Sequence, residues 1–81
     1  MIIHVKEAKY IGDYVIWLRF NDGAIGEIDL KEELDGEIFE PLKNFNQFKL
    51  FKVDPDLNTI VWENGADFAP EFLYKKMKVL A

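Results

Sequence analysis

Apolar and polar residues alternate over much of the N-terminal third of the chain, the two-residue period of strands with one buried face. Ile2 to Ile11 is strand-like, and Gly12-Asp13 turns the chain into a second run from Tyr14 to Phe20. There Tyr14, Ile16, Leu18 and Phe20 point one way, while Val15, Trp17 and Arg19 point the other. The first set is apolar throughout and belongs to the core. The second holds Val15 and Trp17, unusual for a face turned to water: either the strand is central and covered on both sides, or Trp17 belongs to an interface. Asn21-Asp22-Gly23 tolerates the positive φ of a tight hairpin, with a return strand from Ala24 to Ile28. Asp29, with Glu32 three positions on, predicts a capping box on a short helix that Asp35-Gly36 stops within two turns.

From Glu37 to Phe48 the period is lost. Pro41 breaks any long element, and Asn44 with Gln47 predicts one further helical turn. Ile38, Phe39, Leu42, Phe45 and Phe48 are too many large apolar groups for a free loop and are expected to form a lid over one open side of the sheet. Lys49 to Asp54 and Thr59 to Trp62 read as a second hairpin, connected by turn-forming Asp54-Pro55-Asp56-Leu57-Asn58. Asn64-Gly65 ends that strand. Pro70 suits a first helical position. Glu71 then sits near the positive end of the helix dipole, and Lys75, Lys76 and Lys78 near the negative end. Ala69, Leu73, Met77 and Leu80, widened by Phe72 and Val79, form a stripe at helical spacing. The predicted order is β-β-β-α-β-β-α: one α+β domain over residues 1–81, a small antiparallel sheet with the C-terminal helix packed on it.

Composition narrows the function classes. An apolar content of 49%, with 15% aromatic residues, argues for a folded core. There is no cysteine and no serine, Thr59 is the only threonine and His4 the only histidine. Disulfides, thiolate chemistry, a Ser-His-Asp triad and a two-histidine zinc site are therefore excluded. The net charge of −5 disfavours direct binding to nucleic acid and suits a solvated surface or a basic protein partner. Charge interrupts the N-terminus too early for a signal peptide, and no apolar run approaches the ~20 residues that cross a bilayer. A cytoplasmic protein without membrane contact is expected.

Several segments together carry a family resemblance. They are Phe20-Asn21-Asp22-Gly23, Ile28-Asp29-Leu30, Gly36-Glu37-Ile38-Phe39-Glu40-Pro41-Leu42, Phe48, and Ile60-Val61-Trp62-Glu63-Asn64-Gly65-Ala66-Asp67 followed by Ala69-Pro70-Glu71-Phe72-Leu73-Tyr74. In these the chain resembles the small, mostly bacterial domain-of-unknown-function family 2442, from about Tyr14 to Tyr74, and the final block is the most specific part. The resemblance implies an α+β domain and assigns no catalytic residue. It also implies relatives fused to a helix-turn-helix unit, and others encoded beside a second small protein in toxin–antitoxin-like pairs.

The candidate sites are few. Asp54-Pro55-Asp56-Leu57-Asn58 imitates the start of a calcium loop, but Thr59 stands where the pattern needs glycine and Gly65 where it needs a bidentate Glu. A plain turn is expected. Glu63, Asp67 and Glu71 surround the Asn64-Gly65 turn, where they either converge on a ligand or a magnesium ion, or bond the free N–H groups that start the final helix. Capping is the favoured reading. His4 is expected to be structural and Trp62 to pack in the core. The candidate interaction or ligand surface is thus Trp17, Trp62, Glu63, Asp67 and Glu71, with no cofactor and no metal. The leading expectation is a non-catalytic interaction or regulatory module that binds a protein partner or itself, including as a homodimer. A ligand-binding domain or small enzyme using the three carboxylates, and a DNA-associated regulator acting through a partner, are the alternatives.

Overall fold

The computed structural model describes residues 2–79, with side chains as far as Met77. Strands β1 (Val5–Gly12), β2 (Val15–Phe20) and β3 (Ile25–Asp29) form an antiparallel meander. The β1–β2 turn places Asp13 at φ 47°, and the β2–β3 turn places Gly23 at φ 87°, so both turns use residues that tolerate the left-handed region. Strands β4 (Lys52–Asp54) and β5 (Thr59–Val61) pair as the second expected hairpin, but in a sheet of their own. Val5 N–H donates to the Asn58 carbonyl at 2.9 Å and ties the two sheets together.

The short helix expected after Asp29 is one 3₁₀ turn, Lys31–Glu33, and the capping box is not formed. Asp29 Oδ1 instead accepts from the Lys31 N–H at 3.0 Å, an Asx turn at the end of β3. Gly36, at φ 94°, redirects the chain as predicted. A second 3₁₀ turn (Glu40–Lys43) leads into α1 (Phe45–Phe48), whose N-cap Asn44 accepts from the Asn46 N–H at 2.8 Å. Of the expected lid residues, Leu42 and Phe48 are buried and Phe39 packs against the core, while Ile38 and Phe45 stay exposed.

The C-terminal helix α2 (Pro70–Lys76) starts at the proline, as predicted, and buries Leu73. It ends earlier than the apolar stripe implies. Met77 is extended, at φ −65° and ψ 153°, and residues Lys78–Val79 form β6 beside β3. The main sheet therefore has the order β1-β2-β3-β6. Leu80, the last position of the stripe, lies outside the described residues.

The core lies between the inner face of the main sheet and the elements packed on it. Ile16, Leu18 and Phe20 of β2 are fully buried, with Ile28 of β3, Ile60 of β5 and Leu73 of α2. Rings link these elements: Trp62 meets Phe48, Phe51 and Phe68, and Phe48 meets Tyr14 edge-on at 5.3 Å. Such pairs add to the area they bury and suit a chain too short for a large aliphatic core.

Helix α2 is also tied to the first hairpin by a polar contact. The Tyr74 hydroxyl donates to Asp22 Oδ2 at 2.6 Å while its ring stands edge-on to Phe20. The Tyr74 hydrogen bond, followed by the Ala24 N–H, holds the Asp22 carboxyl below its ordinary 3.8. The same hydrogen bond and the charge behind it raise Tyr74 above its ordinary 10.0. Asp22 thus contributes stability above pH 3.8 that is lost as pH falls, and Tyr74 contributes stability below pH 10.0 that is lost as pH rises. Tyr74→Phe keeps the ring contact, so its melting temperature should fall below wild type near neutral pH and converge with it at both extremes. Thermal melts at acid, neutral and alkaline pH check this; a deficit as large at pH ~3 as at pH ~7 contradicts the linkage.

Candidate functional site

The inner and outer faces of the main sheet differ sharply. Strand register puts Lys9, Trp17 and Glu27 in one row across β1, β2 and β3, with Glu7, Arg19 and Ile25 in the next. These side chains share the outer face, and none belongs to the hydrophobic core. Val15, Trp17 and Ile25 are nevertheless half-buried. Lys9 Nζ sits 5.0 Å from the Trp17 ring centre, a cation–π contact. Glu7 accepts from Arg19 Nε at 3.2 Å and lies 3.6 Å from Lys9 Nζ. The Arg19 hydrogen bond is the main reason the Glu7 carboxyl lies below its ordinary 4.5. The strand is central, between β1 and β3, but it is covered on one face only. Trp17 is thus half-buried on the uncovered face of a central strand, and the expectation of cover on both faces is not met.

The other candidates do not assemble into a site. Trp62 is buried, and its indole N–H donates to the Phe48 carbonyl at 2.7 Å, so it serves the core and does not present a surface. Its backbone N–H takes the Ala66 carbonyl across the turn, and Asn64 fastens that turn by donating to the Ile38 carbonyl at 2.8 Å. Glu63, Asp67 and Glu71 are all exposed. Among the described residues no group of three acidic or histidine side chains is placed to share a metal ion, so the convergence on magnesium does not occur. The favoured capping role fails as well: the N-cap of α2 is Ala69, with no side-chain cap. Asp67 is held in a β-bridge with Val61, which keeps it in extended backbone short of the helix. Beside Trp62 there is a depression of about 110 Å³, lined also by Pro41, Leu50 and Glu63. The calcium-like segment is a turn, as expected: Asp54 Oδ1 accepts from the Asp56 and Leu57 N–H groups, at 2.8 and 3.1 Å. His4 is backbone-paired with Asn21, its N–H on Asn21 Oδ1 at 3.0 Å.

A family model described as "Protein of unknown function (DUF2442)" matches residues 5–78. The chain belongs to the DUF2442 family. The match takes in both hairpins, the turn after Trp62 and the whole of α2. No curated protein and no solved structure matches the chain. The DUF2442 description names no activity, so the reading of the surface rests on its geometry.

Two features lay beyond the single-residue reading. Lys9 and Glu27 flank Trp17 in its row, and pairing the two hairpins residue by residue would have found them. A cleft of about 250 Å³, lined by Tyr14, Lys31, Glu32, Leu34, Asp35 and Lys43, forms where the 3₁₀ turns pass the end of β2. It depends on the irregular segment after β3, for which the sequence has no periodic signal.

Proposed function

We propose that this DUF2442 chain is a non-catalytic interaction or regulatory module whose contact surface is the outer face of the main sheet, centred on Trp17. The observation that carries this reading is a tryptophan flanked by Val15 and Ile25 on a face outside the core. Tryptophan in a patch edged by charge is the composition that anchors protein contacts. The absence of serine and cysteine from the sequence, and the dispersal of Glu63, Asp67 and Glu71, favour binding over catalysis. No helix among the described residues is long and apolar enough to cross a membrane, and we place the module in the cytoplasm. Two protein occupants suit the face: a second copy, or a small basic protein, which would make this chain the antitoxin-like or regulatory half of a pair. The net charge of −5 favours either over nucleic acid.

The test is a comparison of tagged wild type with Trp17→Glu, recovered from the native host and analysed for stoichiometric protein. Wild type should carry a partner, or further untagged copies of itself. Trp17→Glu should carry neither, while Glu71→Gln behaves as wild type. Equal recovery with wild type and Trp17→Glu would remove the sheet face from the reading.

A further inference from the structure

Resting on the reading of this face as the contact surface, we propose that its occupant is a second copy of the chain, in a two-fold dimer whose axis runs parallel to β2. The argument starts from charge. The chain is acidic by five, from ten basic and fifteen acidic residues. That excess lies elsewhere, because the two central rows of the outer face hold Glu7 and Glu27 against Lys9 and Arg19. Asp29, opposite Val15 at the end of β3, adds one negative charge to this face, and Lys78, opposite Glu27 in β6, adds one positive charge. A copy approaching along this face meets a balanced surface on a molecule that elsewhere repels it.

The order of the charges selects the axis. In the central row Lys9, Trp17 and Glu27 run from positive through aromatic to negative across β1, β2 and β3, and Lys78 of β6 follows Glu27 at the sheet edge. Rotation about an axis along β2 reverses the row, so Lys9 of each copy moves from its own Trp17 ring to stand over Glu27 of the other, and the two Trp17 rings meet between them. Isologous contacts require this self-complementarity. Rotation about an axis along the row would instead set Lys9 over Lys9 and Glu27 over Glu27. The parallel axis does bring the two Arg19 side chains together, but each is already held by its own Glu7 at 3.2 Å. Lysine and glutamate side chains together span the ~10 Å between packed sheets.

Three strands about 4.8 Å apart, each of roughly six residues, make a face of about 300 Å² in plan. That is well below the ~800 Å² per partner of a standard interface, so the dimer is weak and reversible.

Sedimentation velocity from ~5 to ~500 μM tests this on wild type, Trp17→Glu, Lys9→Glu, Glu27→Lys and the double swap Lys9→Glu/Glu27→Lys. Wild type should shift from monomer to dimer. Each single charge reversal should weaken assembly by about tenfold or more, and the double swap should restore it to within about threefold. Circular dichroism confirms that each variant folds. Independently of those variants, Val15→Cys supplies the only thiol in a chain without cysteine, and a short bismaleimide should link it into dimers, whereas Leu57→Cys on the β4–β5 turn should not be linked. A wild type that stays monomeric throughout, or a folded double swap no better than the single reversals, overturns the two-fold dimer. If Trp17→Glu still loses a partner in the native host, the sheet-face reading survives that result. A dimer that persists in Trp17→Glu overturns both.

Discussion

Trp62→Ala should leave little folded protein at room temperature. The side chain is almost wholly buried, packs against Phe48, Phe51 and Phe68, and donates its indole N–H to the Phe48 carbonyl at 2.7 Å. Truncating a core tryptophan costs about 3–5 kcal/mol from lost burial and the cavity left behind. Small domains sit at the lower end of the ~5–15 kcal/mol that folded proteins possess, so one such change consumes most of the margin. Trp62→Phe separates the two contributions. It keeps an aromatic ring but removes the donor, and a buried carbonyl left without its partner costs about 1–3 kcal/mol. Trp17→Phe is the control, because Trp17 is half-buried on the outer face and lies outside the core cluster. Guanidinium unfolding followed by circular dichroism ranks the three. A Trp62→Ala midpoint within experimental error of wild type would show that the ring cluster does not hold the fold.

The contrast between the two tryptophans shows which parts of the molecule were legible in the sequence. Position on a strand is readable from the two-residue period, and the period placed Ile16, Leu18 and Phe20 correctly in the core. Turn chemistry was readable too: Gly12-Asp13, Asp22-Gly23 and Gly36 all turn the chain where their conformational tolerance suggests, and Pro70 starts α2. What pattern cannot supply is pairing between segments distant in sequence. The β4–β5 hairpin looked like an extension of the first sheet but stands apart, because only partner choice, and not alternation, distinguishes the two arrangements. The stripe Leu73, Met77 and Leu80 is compatible with a longer helix. The chain instead leaves the helix at Met77, and β6 takes up the free edge of β3, where backbone pairing outweighs one more helical turn. For the candidate site the limit was the same. The outward position of Trp17 was readable from its own strand, but the charged residues in its row lie on β1, β3 and β6. Capping of α2 is expected because Asp67 lies close to it in sequence, but its β-bridge with Val61 holds Asp67 in extended backbone short of the helix, while Glu71 lies within the first turn.

Leu73→Ala should cost about 2–5 kcal/mol and should loosen the C-terminal end more than the rest of the domain. Leu73 is fully buried and is the one buried residue within α2. A helix of seven residues has no stability of its own in water, since isolated helices shorter than ~12–15 residues are marginal. Its persistence therefore depends on that anchor, helped by Met77 just beyond it. Strand β6 depends on it in turn: the Met77 N–H donates to the Leu73 carbonyl at 2.9 Å, and Lys78–Val79 pair with Glu27 and Gly26 immediately afterwards. Losing the leucine side chain should free the helix, the extended residue and the edge strand together. Hydrogen exchange should then accelerate across α2 and β6 well before it does in β1 and β2, whose pairing is independent of the C-terminus. Lys75→Ala is the matched control, because Lys75 is exposed on the same helix and should change stability by no more than about 0.5 kcal/mol. Exchange that rises equally in every strand would mean the domain opens only as a whole. A Leu73→Ala protein as stable as Lys75→Ala would mean the helix is not anchored where its burial places it.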